Sequence, residues 1–164
     1  MDAIDFLKRQ HKQVEDLFEA LEDAGSEDEM NSLFAELADN FMIHSHLEEE
    51  IFYPTVFEDK TEEELREAVE EHLQAKRLIA DMLEMSPSDE QWKAKCSVLK
   101  EDIEHHVEEE EEELFPAVRR LFTKKRMAEL GTRLLERYEE LEAEEEPRML
   151  VFDETDEAVV PAPT

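Results

Sequence analysis

HSHLEEEIFYP, residues 44–54, recurs as HVEEEEEELFP at residues 106–116. Each copy opens on a histidine, carries a glutamate four residues on (Glu48, Glu110) and closes on a proline ten residues on (Pro54, Pro116). Four residues is about one helical turn, so the histidine and glutamate of each copy share one helix face. A further histidine precedes each copy, His11 by 33 residues and His72 by 34. The chain therefore reads as one helix pair written twice.

The apolar residues around these positions follow helical steps of three and four. A first helix over about 2–24 carries Ile4, Leu7, Val14, Phe18 and Leu21 and stops at Gly25. Ser26 with Glu29 forms a capping-box start for a second helix, with Leu33, Leu37, Phe41 and Ile51, which Pro54 is expected to kink or end. Thr61 and Glu64 are expected to cap a third (Leu65, Val69, Ile79, Leu83), broken by Pro87. Ser88 and Gln91 are expected to open a fourth (Cys96, Leu99, Ile103, Leu114, Leu121), with Pro116 inside it. A shorter helix over 124–142 carries Met127, Leu130, Leu134, Tyr138 and Leu141. Short connections favour antiparallel neighbours. The expected fold is all-α: an up-down-up-down four-helix bundle over 1–122, a short additional C-terminal helix within 123–146, and an acidic tail over 147–164. The tail, with Pro147, Pro161 and Pro163, is expected to be disordered.

Each of the four long helices holds one histidine inside its apolar stripe: Leu7-His11-Val14, Phe41-His44-Glu48, Val69-His72-Ala75 and Ile103-His106-Glu110. Helical phase turns all four histidines and both glutamates inward, at neighbouring depths. An unpaired buried carboxylate costs several kcal/mol, on the order of a domain's whole stability. Two buried glutamates beside four histidines thus call for a hydrogen-bonded polar network or for metal. Imidazole with carboxylate suits iron, manganese or zinc, and six donors exceed what one tetrahedral zinc uses. Two shared carboxylates and two histidines per ion would leave positions open for water or a small ligand. His46 lies roughly 200° round the helix from His44 and falls outside the set. His105 shares its face with Val98 and Asp102 and reads as a surface residue. Cys96 on an apolar face reads as core.

The 48 acidic against 18 basic residues give a net charge of −30. That charge disfavours nucleic acid and anionic membrane surfaces and attracts cations, although most of these carboxylates are solvated helix faces. No apolar run of about 18 residues is present to span a membrane. The single Cys96 cannot close an internal disulfide, and a cytoplasmic location is expected.

On His11, HSHLEEEIFYP, EEHLQAK and HHVEEEEEELFP the chain resembles the hemerythrin-like, or HHE cation-binding, family over about residues 1–122. The resemblance implies a non-haem di-iron centre with His11, His44, Glu48, His72, His106 and Glu110 as ligands, iron ranking ahead of manganese or zinc. Oxygen-carrying members place a second histidine one turn after the third-helix histidine; here that position is Lys76. Reversible oxygen carriage by a five-histidine site is therefore not expected, and Glu15, one turn after His11, is a candidate to fill the gap. The expected function is binding of O2, NO or iron for sensing, storage or protection, with no separate catalytic residues. The alternative is a di-iron enzyme acting on O2, peroxide or NO. The acidic tail is a candidate docking segment for a protein partner.

Overall fold

In the computed structural model, which describes residues 1–163, the helix pairs of the sequence stand as the walls of a bundle. The helices are α1 (Ala3–Glu22), α2 (Glu27–Leu47), α3 (Tyr53–Thr55), α4 (Glu62–Leu83), α5 (Glu90–Glu109), α6 (Phe115–Leu121) and α7 (Lys124–Glu142). α1 packs along α2 and α4 along α5, and α7 returns across α1 and α2. Thr164 lies outside the described residues, so its part of the tail expectation has no structural counterpart.

Local chemistry explains most of the helix ends. The Asp2 carboxylate accepts from the Asp5 amide at 2.9 Å and starts α1. Ser26 Oγ accepts from the Glu29 amide at 3.1 Å, and Glu29 reaches back to the Gly25 amide at 3.0 Å. Two expected caps differ. Thr61 precedes α4 but makes no side-chain cap; its hydroxyl binds the preceding turn instead, donating to the Val56 carbonyl at 2.7 Å. α5 is opened by Asp89, whose carboxylate takes the Gln91 amide at 2.8 Å, rather than by Ser88.

The second helix ends at Thr55, one residue after Pro54, as expected, whereas α6 runs past Pro116 to Leu121. Each proline is preceded by a π-helical turn, Glu48–Phe52 and Glu110–Leu114, that joins α2 to α3 and α5 to α6. Proline has no N–H to donate, and the wider turn lets the preceding residue bond one position further back. The Tyr53 amide thus reaches the Glu48 carbonyl and the Phe115 amide the Glu110 carbonyl.

The core is two apolar clusters with a polar layer between them. One gathers Ile4, Leu7, Leu47, Phe52, Leu65 and Phe115 with the inner face of α7. The other gathers Val14, Phe18, Phe41, Ile79, Trp92 and Leu99. Gly131 of α7 lets that helix approach the start of α1: a Cβ there would lie 2.5 Å from the Met1 carbonyl oxygen and 3.0 Å from the Ala3 amide nitrogen. Backbone cannot yield as a side chain can, so Gly131→Ala is expected to cost about 1–3 kcal/mol through overpacking. Denaturant unfolding checks this; an unchanged midpoint would show that α7 is not seated against α1.

Residues 147–164 were expected to be disordered, and the structure corrects this for the described part. Pro147–Asp153 forms a 3-10 helix laid over α2 and α4. Val151 is fully buried in the second cluster, and Arg148 pairs with Asp39 at 3.2 Å. The acidic count concealed the apolar run Met149–Phe152, whose burial and ion pairs offset the cost of ordering the segment.

Candidate metal centre

The four histidines and two glutamates meet in the polar layer. Glu48 is 0% exposed and Glu110 2%, while His11, His44, His72 and His106 lie between 1% and 7%. His11 Nε2 stands 3.1 Å from Glu110 Oε1, His44 Nε2 3.0 Å and His72 Nε2 3.1 Å from Glu48 Oε1, and His106 Nε2 3.4 Å from Glu110 Oε1. The donors fall into two overlapping groups, His11-His44-Glu48-Glu110 and Glu48-His72-His106, sharing Glu48.

The outer nitrogens explain why the inner ones converge. Each Nδ1 faces an oxygen acceptor: His11 with Glu111 at 2.7 Å, His44 with Gln10 at 2.6 Å, His72 with Glu49 at 2.6 Å and His106 with Glu71 at 2.9 Å. Carboxylate and amide oxygens only accept, so Nδ1 carries the proton and Nε2 is left to face the centre. These acceptors repeat like the ligands. Gln10 and Glu71 directly precede His11 and His72; Glu49 and Glu111 directly follow Glu48 and Glu110. The π turns supply the second pair, because the added residue per turn brings two successive glutamates to the inside of each helix. None of the four was anticipated, though aligning the two copies would have exposed them.

Tyr53 was also missed. Its hydroxyl contacts Glu110 Oε2 at 2.5 Å and Glu48 Oε1 at 3.1 Å, with His72 Nε2 at 3.4 Å. In the second copy its counterpart is Phe115. Tyr53 stacks on His72 with ring centroids 5.6 Å apart and Phe115 on His11 at 5.9 Å, so the repeat keeps the ring and differs by the hydroxyl.

The donor chemistry fits metal. Glu48 Oε2 and the Nε2 atoms of His44 and His106 are buried with no hydrogen-bond partner. His44 Nε2 is near Glu48 but out of line for a hydrogen bond. Such orphaned groups are costly unless a cation accepts their lone pairs. In the metal-free chain the layer fills with protons instead. Burial disfavours charge on His11, but Glu110 and Glu111 outweigh it and push its pKa up to about 9. His106 is likewise buried and is raised well above the usual histidine range, by Glu110, Glu48 and Glu71. His44 goes the other way, burial prevailing over Glu48.

The remaining sequence candidates lie apart from this layer. Glu15 does not fill the gap: it is on the solvent side of α1, 3.7 Å from Lys12. Lys76 is buried and pairs with Glu49 at 2.9 Å, not with the centre. His46 bonds Glu50 at 3.0 Å and Glu154 at 2.7 Å. The His105 side chain is 65% exposed and pairs with Glu109. Beside the layer, a cavity of about 330 Å³ opens between α1 and α5, with His11 and Glu111 among its lining and Val14, Phe18, Ile103 and Val107 as apolar wall.

The family model described as "Hemerythrin HHE cation binding domain" matches residues 2–118. The chain belongs to the hemerythrin HHE cation-binding family. A solved hemerythrin HHE cation binding domain-containing protein from Mycobacterium kansasii is 25% identical and superimposes with a TM-score of 0.77, over 86% of this chain and 87% of that one. A Nostoc sp. protein described as a DNA nickase is 29% identical over 119 residues, 73% of this HHE chain and 34% of that protein. The chain thus spans about a third of that curated relative's length. No helix among the described residues of this HHE domain is long and apolar enough to cross a membrane.

Proposed function

We propose that this HHE domain is a non-haem di-iron protein with His11, His44, Glu48, His72, His106 and Glu110 as ligands, binding O2, NO or iron for sensing, storage or protection. One observation carries the reading: four imidazoles, each held at Nδ1, turn their Nε2 atoms onto two buried carboxylates. A pair of iron ions there would supply open coordination positions and one-electron chemistry. The protein's part is to orient the rings through Gln10, Glu49, Glu71 and Glu111, and to exclude bulk water with two apolar clusters. Tyr53 holds a proton against Glu110. The cavity beside His11 is a route suited to a small uncharged molecule, since its rim glutamates repel anions. A phosphate backbone would meet a chain of charge −30, which disfavours the nucleic-acid substrate that the nickase relative's name implies.

Substitution tests the ligand set. His46→Ala and His105→Ala are expected to keep the wild-type metal content, because both rings are paired outside the layer, whereas His44→Ala and Glu110→Ala lose metal. Elemental analysis of the purified variants checks this; equal loss in all four would overturn the assignment. The second reading, a di-iron enzyme, is favoured by Tyr53, a proton-bearing group beside the carboxylates. Anaerobic iron loading followed by air separates the two. A stable, reversible spectrum supports binding, and rapid multi-turnover consumption of peroxide or NO supports catalysis.

A further inference from the structure

The Lys76 position, where the five-histidine pattern has a ligand, and the C-terminal segment, which the family match does not cover, meet at one place. Lys76 Nζ is bound by both Glu49 oxygens, at 2.9 and 3.0 Å, and by Glu154 at 2.9 Å. Glu49 in turn takes the His72 Nδ1 proton at 2.6 Å. A continuous line of charge-assisted bonds thus runs from Glu154 through Lys76 and Glu49 to a ring of the metal layer. Glu154 is held there by its second bond, to His46 at 2.7 Å, and by the burial of Val151. The Arg77 guanidinium binds the next two carbonyls, of Thr155 and Asp156, at 2.9 and 3.1 Å.

The other half of the repeat has no such line. Its equivalent acceptor, Glu111, bonds His11 at 2.7 Å, but its side chain is 34% exposed and takes no lysine or arginine ion pair. One acceptor is therefore buried and ion-paired to a lysine, while the other is a partly exposed carboxylate with no such pair. The strength with which an acceptor draws on Nδ1–H sets how much electron density the ring offers at Nε2.

We propose that Lys76 and Glu154 are positioning residues for His72, and that they make the metal position on the His72 and His106 side chemically unlike the one on the His11 and His44 side. Lys76 withdraws charge from Glu49 and so weakens the pull on the His72 proton. Glu154 draws Lys76 toward the C-terminal segment and restores part of that pull. The two residues act on His72 with opposite sign, and the C-terminal segment becomes part of the metal site's electronic setting. This rests on the di-iron reading above.

The test uses the full chain with Lys76→Gln and Glu154→Gln, both of which retain a side chain able to hydrogen-bond. The first readout needs no iron: ring ¹⁵N and Nδ1–H proton resonances of His72 in the metal-free protein. Lys76→Gln is expected to move the proton downfield, toward a stronger bond to Glu49, and Glu154→Gln to move it upfield. The second readout is the midpoint potential after loading with ferrous iron. It is expected to fall in Lys76→Gln and rise in Glu154→Gln, with metal stoichiometry unchanged. Shifts of the same sign in both variants, or none, would overturn the proposal, since a merely structural role perturbs both alike. If wild type binds no iron pair while the proton shifts are opposed, the di-iron reading fails and the positioning of His72 stands.

Discussion

Glu48→Ala is expected to abolish metal retention in one step, lowering affinity by more than about 100-fold, beyond the 10–100-fold typical of losing a group that merely orients a ligand. Glu48 Oε1 lies 3.0 Å from His44, 3.1 Å from His72 and 3.9 Å from His106. It is the one carboxylate common to both donor groups, so its loss damages both metal positions. His11→Ala, at one edge of one group, is expected to damage one position more than the other. Metal titration of the purified variants measures this. A Glu48→Ala protein that binds metal as wild type would show that the carboxylate only satisfies the imidazoles.

The second large effect is on pH. A cation needs the Nε2 lone pairs, so it must displace whatever protons the metal-free layer holds. His11, raised to about 9 by Glu110 and Glu111 against the effect of burial, still carries its extra proton at neutral pH. His106 is raised in the same direction, by Glu110, Glu48 and Glu71 against burial. Metal uptake at pH 7 is therefore expected to release protons, and loading is expected to fall steeply as pH drops. The metal-free chain behaves differently. Its raised histidines contribute stability that is complete below the unfolded value of 6.5 and lost as pH rises through the folded values. Glu48 and Glu110 act in the opposite sense. Burial opposes their ionisation, and for Glu110 the nearby Glu48 adds to that. The surrounding histidines override both effects and lower the two pKa values. Their contribution is present above the unfolded value of 4.5 and lost as pH falls through the folded ones. The metal-free domain should be most stable between those two unfolded values, where metal binding is already weakening. Thermal unfolding with and without metal across pH 4–9 checks this, with proton release followed during titration. Metal content constant down to strong acid would contradict it.

The repeat made the bundle and the convergence of the six donors legible, because a period of about 3.6 residues fixes which side chains face inward. It said less about what happens at Pro54 and Pro116. A kink and a π turn both answer a missing N–H, and only the second brings Glu49 and Glu111 inside beside Glu48 and Glu110. Tyr53 was hidden for a related reason: as the last residue before the proline it looked like the counterpart of Phe115, and only its place in the layer shows what the hydroxyl touches. Lys76 stood out only as the residue in place of a histidine. Its partner Glu154 stands 78 residues away, in a segment whose four acids and three prolines masked the buried Val151. Long-range ion pairs of this kind have no periodic signature.

An anomalous-diffraction map at the iron edge, from crystals of the full chain purified with its native metal, tests the di-iron centre most simply. Two iron peaks are expected, one among His11, His44, Glu48 and Glu110 and one among Glu48, His72 and His106. A single tetrahedral zinc, or a layer in which the four imidazoles meet only the two carboxylates, would contradict the di-iron centre.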